Sequence, residues 1–292
     1  MSKKDNRLGL ALGGGGLKGF AHIGVLQVLE QRGIPISFIA GTSAGSIIAA
    51  LYASGISPFH METLALRLKP EDYLDYNYWG MVKHLFGLLK PGYESPLEGI
   101  FKGDKIEQLV EKLTRGKTLQ DCKLPIAIVA CDIDSGQEII FTNIHMEADQ
   151  EDLVIIREAR LSQAVRASLS IPVTFIPARF YNMQLVDGGL KSMVPVVPLK
   201  IMGAPYILAV NLGSPRYRHP VRGIFQIISR SIDILAFETS KTEQQWLADQ
   251  VIYPRVPAIK LDDLSQIEPA IRAGRKAMRH QIDLLESELG IL

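Results

Sequence analysis

Three short stretches of this chain carry residue types that could do chemistry together. The first is "GTSAG" (41–45), a G-x-S-x-G pattern that follows the apolar run "ISFIA" and precedes the small-residue run "AGSIIAALYASG". A serine on a tight strand-to-helix turn projects its hydroxyl away from the sheet, and flanking glycines relieve the crowding of such a turn. Ser43 is the candidate nucleophile, with Gly41 and Gly45 as its supports. The second stretch is "GGGGLKG" (13–19), placed after the apolar run "LGLAL" (8–12) and before a helical pattern. Consecutive glycines can aim several N–H groups into one small space, which suits an anion or a developing oxyanion. The third is "LVDGG" (185–189), where an apolar strand ends in Asp187 and the glycines Gly188 and Gly189 follow. Asp-Gly is also common in hairpin turns. Beside a serine and a glycine loop, Asp187 becomes the candidate base.

The glycine loop alone fits other readings. "GGGLKG" (14–19) matches the G-x-G-x-x-G dinucleotide fingerprint, but that fingerprint expects an acidic residue at the end of the second strand, where "GTSAG" stands. A phosphate loop needs Gly-Lys followed by Ser or Thr, and Lys18 is followed by Gly19. Taken with Ser43, the loop reads as an oxyanion hole made by Gly14, Gly15 and Gly16. Of the six histidines, only His219, in "SPRYRHP", could complete a Ser43–Asp187–His219 order of the α/β-hydrolase kind. That triad remains a rival.

The elements needed to position these groups alternate. Strands are expected at Leu8–Leu12, 36–40, Pro125–Ala130, Glu138–Phe141, Gln184–Val186 and Tyr206–Val210. Helices are expected at Lys18–Gln31, 44–55, Asp104–Thr114, Leu161–Ala167, Val221–Gln245 and Glu268–Leu289. Strand and helix alternating with short joints predicts an α/β fold, a three-layer α/β/α sandwich around a mainly parallel sheet. Both glycine-bearing turns would then lie at carboxyl ends of strands, where such folds place their sites. No linker divides the chain, so one domain over 1–292 is expected, with the motifs in 8–213 and a helical part over 214–292.

In this order, "GGGGLKG", "GTSAG" and "DGG" resemble the patatin-like phospholipases. Ser168, Ile171, Pro172 and Phe175 match the family's S-x-x-I-P-x-x-F segment, and "PVVPLKIMGAPYILAVNLG" (195–213) resembles the segment that follows. The resemblance runs from about Leu8 to Gly213. It implies a Ser43–Asp187 dyad without histidine, Gly15 and Gly16 as the main oxyanion donors, and Lys18 at the family's basic loop position. Gly13 stands where some members carry Asp, and DGG replaces the DGA of others. The implied activity is hydrolysis of lipid esters of the phospholipase A or lysophospholipase type, needing no cofactor and no metal. A histidine-dependent esterase or thioesterase, and a non-catalytic lipid- or nucleotide-binding regulator, are the alternatives.

Composition narrows the partners. The 292 residues are 47% hydrophobic and 22% charged, with a net charge of +1. That balance makes no case for nucleic acid. Cys122 and Cys131 are too few for a disulfide framework and fit a reducing, cytoplasmic setting. No spanning helix is expected. The aromatic stretch "YLDYNYWGMVKHLFGLLKPGY" (73–93) suits a lid or a peripheral contact with the inner membrane face, and equally an ordinary core cover. The apolar helix around 223–240 is expected to serve mainly as core, with a homo-oligomer contact or the wall of an acyl tunnel as the lesser readings.

Overall fold

The computed structural model describes residues 6–87, 97–146, 151–213, 217, 220–256 and 262–291. Its centre is a mixed, mainly parallel sheet. In chain order the strands are β1 (Leu8–Leu12), β2 (Ile36–Thr42), β3 (Gly99–Phe101), β4 (Ile126–Asp132), β5 (Glu138–Thr142), β6 (Leu153–Ile156), β7 (Val173–Phe175), β8 (Ala178–Phe180), β9 (Met183–Asp187), β10 (Tyr206–Val210) and β11 (Gln250–Ile252). The main path runs β11-β10-β1-β2-β4-β5-β6, while β3 and β7 form a separate pair. From β11 through β4 every pairing on that path is parallel. The antiparallel pairings are β4 with β5, β4 with β9 and β8 with β9.

β1, β4 and β10 are buried along their whole length. That is why they read as unbroken apolar runs: strands covered on both faces have no solvent side to alternate with. Two cores result. Leu8, Leu10 and Leu12 of β1 point to one face, where they meet α1 (Ala21–Gln31), α2 (Ala44–Ala53), α5 (Asp104–Thr114) and α6 (Leu161–Ser168). Ala11 points to the other face, with Phe38, Ala40 and the apolar residues of α7 (Val196–Ile201). Helices cover both faces, giving three layers. The remaining helices are α3 (Pro58–Ala65), α4 (Tyr78–Gly87), α8 (Ile224–Leu247), α9 (Ile267–Arg279) and α10 (Ile282–Leu289). No helix among the described residues is long and apolar enough to cross a membrane.

Two expectations about helices need correction. The run expected over Glu268–Leu289 is two helices. The Gln250 side chain, on edge strand β11, donates to the Gln281 carbonyl at 3.3 Å, and Arg32 pairs with Asp283 and Glu286 of α10. The chain turns at His280–Gln281 between the two helices, and the Arg32 pairs tie α10 to the end of α1. The helix expected around 223–240 as core is α8, and its first three turns contain no buried side chain among those described.

Of the aromatic stretch 73–93, Tyr73 and Leu74 are buried while Tyr76, Tyr78, Trp79 and Phe86 are exposed. Residues 88–93 lie outside the described residues.

Candidate active site

Ser43 makes the whole turn between β2 and α2. Its backbone sits at φ 52° and ψ −126°, a region that non-glycine residues avoid at a cost of about 1–3 kcal/mol. Neighbouring groups hold it there. The Ser43 N–H donates to Ser168 Oγ at 2.9 Å, and Ser168 Oγ in turn donates to the Val129 carbonyl at 2.6 Å. The Ser43 carbonyl accepts from both the N–H and the hydroxyl of Ser46, at 2.8 and 2.6 Å. Thr42 Oγ1 donates to the Ser192 carbonyl at 2.8 Å. The flanking glycines are steric necessities: a Cβ at Gly45 would stand 2.0 Å from the Leu12 carbonyl oxygen, and one at Gly41 2.5 Å from that of Gly45.

Sheet register brings Asp187 to this turn. β2 pairs with β4 only as far as Thr42, which faces Val129. β5 occupies the other edge of β4, so β9 takes over the vacated edge, and Asp187 pairs with Ala130. The last residue of β9 thus lies beside the first residue after β2. The Ser43 side chain reaches close enough to the Asp187 carboxylate for hydrogen bonding to pull its pKa down. The carboxylate also accepts the Gly189 N–H at 2.7 Å. Burial pushes its pKa up to about 6, although both contacts act to lower it. Gly188 is pressed on β4: a Cβ there would be 2.2 Å from the Val129 oxygen.

The glycine loop runs against the same turn. A Cβ at Gly14 would be 3.1 Å from Ser43 Cβ. The Gly13 and Gly14 amides are committed, to the Val210 carbonyl at 3.0 Å and the Met193 carbonyl at 2.9 Å. Among the described residues, the Gly15 and Gly16 amides have no acceptor. Those two residues are also the solvent-reachable ones of the four. Gly16 adopts φ +57° and opens a short 3₁₀ turn, Gly16–Phe20, that leads into α1. The free N–H groups therefore stand at the positive end of a helical segment. Gly19, in that turn, sits against Ala44 at the start of α2. Lys18 turns its amine to the Leu212 carbonyl, at 3.3 Å, with Asp233 nearby.

The sequence reasoning missed two residues of this arrangement. His22, the second residue of α1, is fully buried, and its Nε2 lies 2.7 Å from the Gly13 carbonyl oxygen. A carbonyl only accepts, so Nε2 carries the proton. Burial pushes the His22 pKa down to about 4, leaving the ring neutral with a bare, unpartnered Nδ1. Arg166 is the other: its guanidinium donates to Ser170 Oγ, at 2.6 Å, and to the Lys102 and Ile176 carbonyls. Through Ser170, whose carbonyl accepts the Asp187 N–H at 3.0 Å, it braces the turn after α6 against Asp187. A histidine three residues after the glycine loop and an arginine in the last turn of α6 were the available signals. His219, the rival third member, lies outside the described residues. Two clefts of 340 and 490 Å³ open elsewhere, and neither is lined by Ser43, Asp187 or the glycine loop.

The model of the family described as "Patatin-like phospholipase" matches residues 10–200. Among curated relatives, the chain is 30% identical over 218 residues to a lysophospholipase NTE1 of Debaryomyces hansenii, covering 74% of this chain and 12% of that protein. It is 29% identical over 209 residues to an uncharacterized NTE family protein of Mycobacterium tuberculosis, covering 70% of this chain and 49% of the relative. The chain thus spans half or less of the length of these relatives. Among solved structures, the type III effector protein ExoU superposes with a TM-score of 0.51 at 16% identity, covering 97% of this chain and 54% of the effector. That likeness concerns the fold. With the family model spanning most of the chain, from β1 to α7, this protein belongs to the patatin-like phospholipase family.

Proposed function

We propose that the chain is a serine acyl hydrolase acting on lipid carboxylic esters, phospholipid or lysophospholipid, through a Ser43–Asp187 dyad. The observation that carries this reading is that the Ser43 side chain lies close enough to the buried Asp187 carboxylate to act on its pKa, which burial raises to about 6. At neutral pH that carboxylate is ionised and basic enough to take a proton. The Ser43 oxygen attacks the ester carbonyl carbon while its proton passes to Asp187. The tetrahedral oxyanion is held by the Gly15 and Gly16 amides. Asp187 returns the proton to the leaving alcohol, and an acyl ester remains on Ser43. Water then attacks the acyl carbon, loses its proton to Asp187, and Ser43 recovers it as the fatty acid departs. The Gly14 amide, already donating to Met193, serves by shaping the loop.

The name of the relative from Debaryomyces hansenii supports a lysolipid as one substrate to try. Two buried free cysteines fit a reducing, cytoplasmic setting. The exposed aromatic face of α4 suits a peripheral lipid contact.

The test is a hydrolysis screen over phospholipid, lysophospholipid and short-chain esters with wild type and Ser43→Ala, beside fluorophosphonate labelling. Hydrolysis lost in a folded Ser43→Ala variant, together with label on Ser43, is the expected result. Near-normal turnover by that variant would overturn the nucleophile. Unchanged activity in Asp187→Asn, with loss in His219→Ala, would overturn the dyad.

A further inference from the structure

The first three turns of α8 are aliphatic yet uncovered. Between Ile224 and Leu235 no described side chain is buried. Ile224 is 63% and Leu235 68% exposed, with Ile227, Ile228 and Ile234 also open to solvent. Helical spacing puts these five residues on one outward stripe. The stripe ends sharply: the same face continues as Glu238 and Thr242, both exposed. The second half of α8 is anchored, since Ala236, Phe237, Ser240 and Gln244 are buried. The apolar half is therefore a firmly rooted projection rather than a loose end.

This projection stands beside the active site. Asp233 lies within electrostatic reach of both Lys18 and Asp187. Arg230 stacks on the Tyr217 ring, 3.9 Å from its centroid. Further along, Ser192, which follows the "DGG" turn, contacts Glu243 at 3.4 Å.

Charge identifies the occupant. The chain as a whole is balanced, with 32 basic and 31 acidic residues. Yet from Gly188 through Ile232 it contains no Asp or Glu, and Arg216, Arg218, Arg222 and Arg230 all fall within that span. A two-fold contact between two copies would bring the same basic stretch of each copy together. An aliphatic stripe with Arg222 before it and Arg230 beside it, whose one acid, Asp233, falls on the opposite side of the helix within reach of Lys18, matches the boundary of an anionic bilayer, where headgroups meet the basic side chains and the acyl region takes the apolar ones.

We propose that residues 224–235 of α8 dock this protein on an anionic lipid surface and bring the Ser43 site to it. This rests on the lipid-ester reading only for its purpose; docking can be measured separately. The experiment is vesicle flotation of the full chain, with phosphatidylcholine alone and mixed with phosphatidylglycerol. Wild type should float with the mixed vesicles and bind the neutral ones more weakly. Ile227→Glu/Leu235→Glu should bind the mixed vesicles roughly tenfold or more weakly. Thr242→Glu, on the polar half, should bind as wild type does. The double variant should keep its melting temperature and its hydrolysis of a water-soluble short-chain ester. Equal flotation of wild type and the double variant would overturn the proposal. So would a wild-type dimer that the double variant dissolves with no change in flotation, which would assign the face to a second copy. Flotation as expected from a wild type that hydrolyses no ester would leave the docking surface standing and remove the hydrolase reading instead.

Discussion

The hydroxyl oxygen of Ser168 accepts the backbone N–H of Ser43 at 2.9 Å. No strand partner can satisfy that amide, because the chain has left β2 and turned through a positive φ. Ser168 donates its own hydroxyl hydrogen bond to the Val129 carbonyl on β4, one residue before the partner of Asp187. A single side chain thus ties the serine turn to the strand that carries the carboxylate.

Ser168→Ala should therefore lower kcat by roughly tenfold to a hundredfold, the scale of a buried donor left unpaired. KM should change little, since substrate contacts are untouched. Ser168→Thr keeps the hydroxyl and should recover most of the rate. A steady-state comparison of the three proteins checks this; a pure KM effect would sink it.

Asp187 gives a pH dependence with two opposite signs. Its folded pKa, raised to about 6, exceeds the unfolded value of 3.8. The stabilising contribution is complete below 3.8 and is lost as pH rises through 6. Activity needs the ionised form, so kcat/KM should climb through an apparent pKa near 6. Asp187→Asn should be inactive at every pH yet melt higher than wild type at pH about 8. Calorimetry and a pH–rate profile read the two halves. A wild-type profile flat from pH 5 to 7 would remove Asp187 as the base.

His22 is depressed instead, to about 4 from 6.5. The stability gained by keeping it neutral is present above 6.5 and is lost as pH falls through 4, with about 3 kcal/mol at stake. His22→Gln should flatten this acid limb between pH 6.5 and 4. Urea midpoints for both proteins across that range test it. An acid limb just as steep in the variant would mean that the titrating group lies elsewhere.

The glycines should divide into two kinds. Gly45→Ala puts a Cβ 2.0 Å from the Leu12 carbonyl oxygen and should prevent folding. Gly16→Ala meets nothing within 4 Å, so only its φ of +57° is penalised, by about 1–2 kcal/mol. That variant should fold and lose kcat by about tenfold or more, as its amide shifts from the oxyanion position. A folded Gly16→Ala of normal rate would make the loop a packing turn.

The serine turn, the glycine loop and the end of β9 were legible in the chain because each is a local event. A glycine beside a serine, or an aspartate closing an apolar run, marks a turn whose steric demands are met within a few residues. The same holds for β1, β10 and α5, whose bounds the apolar pattern predicted as the structure has them. What the linear order could not contain was the register. That β2 stops pairing at Val129 and β9 begins at Ala130, setting Asp187 next to Ser43, depends on two strands from distant parts of the chain sharing one edge of β4. The same is true of which amides stay free. Four glycines look alike in sequence, and only the carbonyls of Val210 and Met193, supplied by β10 and the loop before α7, occupy two and leave Gly15 and Gly16. The turn between α9 and α10 sits where Gln250 on β11 reaches the Gln281 carbonyl, a contact between residues far apart in the chain. The exposure of α8 was hidden as well. An apolar stripe looks the same whether a sheet or solvent lies against it, and only the tertiary packing decides which.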